Sequence, residues 1–245
     1  MDSTLLIIGI ILIGPLIGSV IGVLKKPSKL FMFNMLAFAG GVMLAISFLE
    51  LIPESIHMSS VWLCCIGILI GSLAMYALDK LIPHIHPELV KQEQGCNLKK
   101  ASIYLLFGIV LHNFPEGMAL AAGTVINYKT LLTLAIAMAI HNIPEGICTS
   151  APLYHSTKKR GKSFLLSFST GFSELAGFLV AAFVFKTISP TMTGIIVAAT
   201  AGVMIYISAD ELIPSACSGL KGKWGHSTIF SLIFGVLFVI LLGLL

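Results

Sequence analysis

The sequence has few charged residues. Only 11% of its 245 residues are Asp, Glu, Lys or Arg, whereas a soluble domain carries roughly 25%. So little charge cannot cover a water-facing surface, which excludes an ordinary soluble protein. The apolar content of 57% excludes a disordered chain. The five cysteines include no C-x-x-C pair, which is atypical of a disulfide-rich secreted scaffold. The composition therefore predicts a protein that crosses a membrane several times.

Long apolar runs occupy most of the chain. A helix needs about 20 mostly apolar residues to cross a bilayer, and eight stretches meet this requirement. The first run has no basic segment before it, so we interpret it as a retained span and not a signal peptide. The loops are short, and residues 1–245 are predicted to form a single all-α transmembrane domain. The predicted spans are residues 4–24, 31–52, 60–78, 102–125, 130–152, 164–185, 192–213 and 228–245.

Basic residues are distributed unevenly among the loops. Thirteen of the fifteen Lys and Arg residues follow spans one, three, five and seven. Cytoplasmic loops of membrane proteins carry an excess of Lys and Arg, so these loops are predicted to be cytoplasmic and both termini to lie outside. The net charge of +4 thus comes from basic residues that set the orientation of the protein in the membrane. We therefore expect these residues to lie next to a lipid bilayer and not to bind nucleic acid.

The sequence contains two internal repeats. Residues 41–53 (GVMLAISFLELIP) and 202–214 (GVMIYISADELIP) are identical at nine of thirteen positions. Residues 112–117 (HNFPEG) are likewise repeated at 141–146 (HNIPEG). The first pair lies in spans two and seven and the second in spans four and five, so the members of each pair cross the membrane in opposite directions. Inverted repeats of this kind are typical of secondary transporters, which bind substrate near the middle of the membrane.

The predicted spans contain acidic residues but no Lys or Arg. A charge at the centre of a bilayer costs about 3 kcal/mol on insertion scales and marks a candidate functional site. With no base nearby, these acids must be protonated or must be neutralised by a cation from outside the protein. The six acids are Glu50, Glu116, Glu145, Glu174, Asp210 and Glu211.

The duplicated motifs place metal-binding groups together. Residues four apart share a helix face, which puts the His and the Glu of each H-N-x-P-E-G motif side by side, with the Asn at the border of that face. Imidazole, amide and carboxylate ligands suit Zn²⁺, Fe²⁺ and Mn²⁺, and two Glu could bridge two ions. The candidate ligands are His112, Asn113, Glu116, His141, Asn142, Glu145 and Glu174.

Prolines interrupt both motifs. Pro115 and Pro144 have no N–H group, so the carbonyls of Leu111 and Ile140 lose their helical partners. Broken backbone hydrogen bonding at mid-membrane is tolerated where it lines a cavity or packs against protein. We therefore expect locally irregular helices whose freed carbonyls could also bind a cation.

The paired HNFPEG and HNIPEG motifs resemble those of the ZIP family of divalent-metal transporters. The resemblance extends over the whole chain and includes LDKLIPHIHPE at 78–88 and the Glu-Leu-Ile-Pro ends of the first repeat. It implies eight helices in a 3+2+3 bundle and a transporter without enzymatic activity or cofactor. It further implies zinc uptake into the cytoplasm across the inner membrane, with Fe²⁺, Mn²⁺ and Co²⁺ as further substrates. A homodimer is left open.

The resemblance also implies a metal site on helices four and five that can be binuclear. The candidate residues above would be its ligands, with His112 at the zinc position. Met43 aligns with an additional ligand, although ordinary packing explains it equally well. Many family members have His where this chain has Glu50, which affects the chemistry expected at the entrance.

The positions of the remaining acids suggest a route for the metal. We expect entry past Glu54 and Glu50, and exit near Asp210 and Glu211. In the cytoplasmic loop, His84 and His86 are either a transient metal acceptor or an exposed pair. A passive cation channel with the same ligands and a metal sensor are alternative interpretations. An intramembrane metalloenzyme is disfavoured because the H-E-x-x-H pattern is absent.

Overall fold

The computed structural model describes residues 3–24, 28–81, 98–218 and 224–244. Every regular element in these ranges is helical, which confirms the all-α prediction. We label the membrane-crossing helices α1 to α8, counting consecutive helical segments of one crossing together. Their bounds are α1 Ser3–Leu24; α2 Lys29–Ile46, Ser47–Leu51 and Ile52–Met58; α3 Val61–Leu81; α4 Leu98–Ile126; α5 Tyr128–Thr157; α6 Arg160–Phe168 and Gly171–Phe185; α7 Pro190–Ile207, Ser208–Leu212 and Ile213–Ser218; α8 Trp224–Leu242.

Eight of the described helices are long and apolar enough to cross a membrane, as the sequence predicts. The largest difference concerns α2 and α7, which continue past Pro53 and Pro214, where the predicted spans stop. In each helix a five-residue π-helical segment comes just before the proline. The proline then lies in the first turn of a new α-helical segment, where its missing N–H group is not needed.

The prolines of the duplicated motifs do not end their helices. Pro115 lies inside α4, which is continuous over 29 residues, and Pro144 lies inside α5, which is continuous over 30. The lost hydrogen bonds are therefore accommodated within unbroken helices. Among the described spans, α5 is the most deeply buried, so its motif lies in the interior of the bundle.

The helices pack in five main pairs in addition to the α4–α5 hairpin. Helix α1 packs against α5, α2 against α7, α4 against α6, α3 against α7, and α2 against α8. Helices α4 and α5 are joined by the single residue Asn127, whose side chain accepts a hydrogen bond from the N–H of Thr130 at the start of α5. This short connection makes α4 and α5 antiparallel neighbours.

The glycine of each duplicated motif permits a close contact between helices. A Cβ atom on Gly117 would overlap the carbonyl oxygen of Glu174 on α6. A Cβ on Gly146 would lie 2.8 Å from the backbone nitrogen of Ser19 on α1. Contacts this short require glycine, as is common where membrane helices associate. At Gly117 the close packing brings the backbone of Glu174 against α4.

Candidate metal centre

The α4–α5 hairpin brings one imidazole and two carboxylates together. His141 Nε2 lies 3.0 Å from Glu116 Oε1 and 3.6 Å from Glu145 Oε1. The candidate ligand atoms of these three side chains all lie within 4.8 Å of one another, and the three residues are buried. Nitrogen and oxygen donors this close together can coordinate a single divalent ion such as zinc.

Helix α6 adds a third carboxylate beside this cluster. The Asn142 Nδ2 group donates a hydrogen bond of 2.6 Å to Glu174 Oε2. Glu174 also interacts electrostatically with Glu116, Glu145 and His141. Both Asn142 and Glu174 are buried. The hydrogen bond therefore fixes Glu174 next to the cluster while one oxygen of each partner remains available.

Several polar atoms of the candidate ligands have no hydrogen-bond partner among the described residues. They are Asn113 Oδ1, His141 Nδ1, Asn142 Oδ1 and Glu174 Oε1. A buried polar atom without a partner costs about 1–3 kcal/mol, so such atoms are rare in folded proteins and require an explanation. Three of the four are oxygen acceptors, and a metal ion would satisfy acceptors of this kind.

Asn113 is held by the backbone of α6. Its Nδ2 group donates a hydrogen bond of 3.3 Å to the carbonyl oxygen of Thr170. Because the nitrogen is engaged in this way, the amide oxygen is the atom that remains for a ligand. Asn113 and Asn142 thus use the same arrangement, in which the NH₂ group contacts α6 and the oxygen has no hydrogen-bond partner among the described residues.

The charge of the centre is unbalanced. Among the described side chains, three buried carboxylates, on Glu116, Glu145 and Glu174, lie close to one imidazole, that of His141. Carboxylates close together in a low-dielectric interior repel one another and cannot all remain ionised without a compensating positive charge. A divalent cation supplies that charge, and so the arrangement favours metal binding.

The structure does not bring all of the predicted residues into this cluster. Glu50 and Glu211 are half-buried in the π-helical segments of α2 and α7. Met43 is fully buried within the apolar core. The side chain of His112 and the residues His84 and His86 lie outside the described part of the chain.

Sequence reasoning missed a cluster of hydroxyl groups one turn beyond Glu145. Ser167 of α6 donates a hydrogen bond to the carbonyl of Gly146 and is hydrogen-bonded to the hydroxyl of Thr149. Ser19 of α1 donates to the Ser167 hydroxyl over 2.8 Å. Three helices therefore meet through hydroxyl groups at the backbone of the motif. The polar composition of span six was visible in the sequence, but the partners of its serines were not.

The fold and the cluster together define a class, namely a polytopic α-helical membrane protein with a buried His/Glu centre suited to a metal ion. A family model described as ZIP Zinc transporter matches residues 88–243. The chain therefore belongs to the ZIP zinc transporter family. The family match confirms the resemblance indicated by the paired motifs. Because members of this family are transporters, it also confirms the expectation that the chain is not an enzyme.

Curated relatives agree with this assignment. The Zinc transporter ZupT of Enterobacter sp. (strain 638) is 38% identical over 209 residues, which cover 82% of this chain and 81% of the relative. The protein of the same name from Chlorobium luteolum is 34% identical over 210 residues, covering 78% and 79%. That of Salmonella paratyphi A (strain ATCC 9150 / SARB42) is 38% identical over 212 residues, covering 82% and 81%.

Proposed function

We propose that this protein takes up zinc into the cytoplasm through the centre between α4, α5 and α6. The observation that carries the proposal is the buried cluster of Glu116, His141 and Glu145, linked through Asn142 to Glu174. Relatives covering about four fifths of the chain are named zinc transporters. The proposed substrates also include Fe²⁺, Mn²⁺ and Co²⁺, which accept the same mixture of nitrogen and oxygen ligands.

The centre is proposed to hold two ions. Glu116 and Glu145 both approach the Nε2 atom of His141, and a carboxylate can bridge two metals about 3.5–4 Å apart. The amide oxygens and Glu174 would complete the second position. The proposed ligands are His112, Asn113, Glu116, His141, Asn142, Glu145 and Glu174.

The chain is further proposed to form one transport domain with the 3+2+3 arrangement. Exchanging α1 with α6, α2 with α7, α3 with α8 and α4 with α5 converts the α1–α5 contact into α6–α4. The same exchange converts the α3–α7 contact into α8–α2. Both members of each pair are among the main helix contacts. This correspondence supports an inverted repeat of three helices on each side of a central pair.

The remaining intramembrane acids mark the proposed route. Metal enters past Glu54 and Glu50 on α2, binds at the centre, and leaves past Asp210 and Glu211 on α7. All four acids are half-buried, in or next to the two π-helical segments. The orientation with both termini outside and the odd-numbered loops in the cytoplasm of an inner-membrane protein follows from the distribution of Lys and Arg.

Carboxylate and imidazole ligands are proposed to replace the hydration shell of the ion. The buried acids supply the negative charge that a desolvated divalent cation requires, and the amides of Asn113 and Asn142 orient their oxygens through hydrogen bonds to α6. Each hydrogen bond fixes a ligand before the ion arrives, which lowers the entropy lost on binding.

Zinc uptake by purified protein in liposomes tests the proposal. The wild type is compared with Glu116→Gln and His141→Ala, and with Thr133→Val as a control for a buried polar residue on α5 outside the cluster. We expect saturable uptake by the wild type and the control and none by the two cluster variants. Equal uptake by all four proteins would overturn the site. Single-channel currents in planar bilayers would instead identify a passive channel.

A further inference from the structure

The two π-helical segments have the same construction. Each runs from a serine to a leucine and carries a glutamate at its fourth position, as Ser47–Leu51 in α2 and Ser208–Leu212 in α7. The wide turn is closed by a hydrogen bond between residues five apart, from the Ile52 N–H to the Ser47 carbonyl. The Ile213 N–H bonds the Ser208 carbonyl in the same way. Single π turns inside α-helices frequently occur at functional sites.

A serine hydroxyl is hydrogen-bonded to the preceding turn at the start of each π segment. Ser47 Oγ donates a hydrogen bond of 2.8 Å to the carbonyl of Met43, and Ser208 Oγ donates one of 2.8 Å to the carbonyl of Met204. Both serines are completely buried. Hydroxyl groups that bond the carbonyl four residues earlier bend helices. The same contact occurs in both copies of the repeat.

The π turn changes the direction in which the glutamate points. One extra residue in a turn rotates the following side chains by about 100° around the helix axis relative to a regular α-helix. Glu50 and Glu211 lie inside the widened turns. A regular α-helix through the same sequence would therefore place both carboxylates on a different face. Their orientation depends on whether the wide turn is maintained.

Each π segment also packs against the helix that contains the other π segment. The π segment of α2 packs against the α-helical part of α7, and the π segment of α7 packs against the α-helical part of α2. The widened turns are consequently positioned against a neighbouring helix as well as within their own.

We propose that Ser47 and Ser208 are positioning residues that maintain the two π turns and so direct Glu50 and Glu211 toward the metal route. This inference rests on the proposed function, because it assigns the two glutamates to the entrance and exit of that route. Ser47 acts on capture of the metal through Glu50, and Ser208 acts on its release through Glu211. Neither serine contacts the metal.

The experiment measures zinc uptake in liposomes as a function of zinc concentration. We expect Ser47→Ala to raise the half-saturating concentration by about three- to tenfold, the effect of losing one hydrogen bond, with an unchanged maximal rate. Ser208→Ala is expected to lower the maximal rate by a similar factor without changing half-saturation. Thr200→Val is the matched control, because it removes a hydroxyl bonded to the carbonyl four residues earlier in a regular part of α7.

A positioning role is separated from a structural role by two further variants. Ser47→Thr retains the hydroxyl and should restore wild-type half-saturation. In a Glu50→Gln background, Ser47→Ala should have no further effect, because the serine acts through the glutamate. If Ser47→Ala still changed uptake in the Glu50→Gln background, the inference would be wrong. It would also be wrong if both Ser47→Ala and Ser208→Ala behaved like Thr200→Val. Uptake retained by Glu116→Gln would instead refute the proposed function itself.

Discussion

The two repeated motifs of this chain are used differently. The H-N-x-P-E-G copies lie on adjacent helices, α4 and α5, and meet in one cluster, in which Glu116 of one copy and Glu145 of the other lie within 4 Å of His141. The copies in α2 and α7 do not converge in this way. Each has its own π segment, and each segment packs against the regular part of the other helix.

One repeated motif therefore produces a single centre, whereas the other produces two separate local structures. Helices α2 and α7 also pack against each other, so the difference does not come from a lack of contact between the copies. Helices α4 and α5 share one cluster of side chains, whereas α2 and α7 each carry their glutamate in a π segment of their own. Duplication in sequence thus does not by itself reveal how many sites the protein has.

The largest effects are expected from substitutions of Glu116 and Glu145, singly and together. Glu116→Gln and Glu145→Gln should each weaken zinc binding by more than about 100-fold, because even the loss of a hydrogen-bond partner to a metal ligand costs about 10–100-fold. Their double variant should be only slightly worse than either single one, because both residues serve one centre. Calorimetry of the purified protein measures the affinities.

The acids of the other repeat provide the contrast. Glu50→Gln and Glu211→Gln should each reduce zinc flux, and the two factors should multiply in the double variant, because each glutamate lies in a π segment of its own. A strongly non-additive result for Glu50 and Glu211 would show that the α2 and α7 copies also act as one site. Additive effects for Glu116 and Glu145 would show that their centre is not shared.

A smaller effect is expected from the motif glycines. Gly117→Ala and Gly146→Ala should each lower the free energy of unfolding by about 1–3 kcal/mol, the usual cost of overpacking, because the added Cβ would overlap backbone atoms of α6 or α1. Thermal unfolding in detergent measures the change. Gly161→Ala is the control, since nothing lies within 4 Å of a Cβ at that position. A control as destabilised as the two variants would contradict the close-packing explanation.

The smallest effect concerns the hydroxyl cluster beside the α5 copy. Ser167→Ala should lower the free energy of unfolding by about 0.6 kcal/mol, the average for a hydrogen bond between membrane helices, because Ser167 links α6 to both α1 and α5. Ser169→Ala removes an exposed hydroxyl that is hydrogen-bonded to the carbonyl of Leu166 in the same helix and should change stability less. Equal losses of unfolding free energy for Ser167→Ala and Ser169→Ala would contradict the proposed role of the hydroxyl cluster in joining these helices.

Much of this architecture could be predicted from the sequence. Hydropathy determined the eight spans, because backbone groups in a bilayer must be satisfied within helices. The spacing of His141 and Glu145 correctly placed both on one face of α5. The partners of Asn113 and Ser167 could not be predicted, since they depend on how each helix is rotated about its axis. That rotation is set by close contacts such as the one at Gly117, which involve residues distant in sequence.

The ends of α2 and α7 are a second feature that could not be predicted from the sequence. A proline inside an apolar run normally predicts that the helix ends before it, and the predicted spans stopped at residues 52 and 213. The widened turns before Pro53 and Pro214 allow both helices to continue instead. Ser47 and Ser208 were visible as identical positions of the repeat, but nothing in the sequence indicated that their hydroxyls bond the preceding turn.

The single-residue connection at Asn127 has a consequence for the order of assembly. Glu116 and His141 are only 25 positions apart, so their contact forms within one helical hairpin. Translation proceeds from the N-terminus at about 5–20 residues per second, and α4 and α5 are complete before α6, α7 and α8 are synthesised. The nascent chain can therefore bring most of the centre together seconds before the helix that carries Glu174 leaves the ribosome.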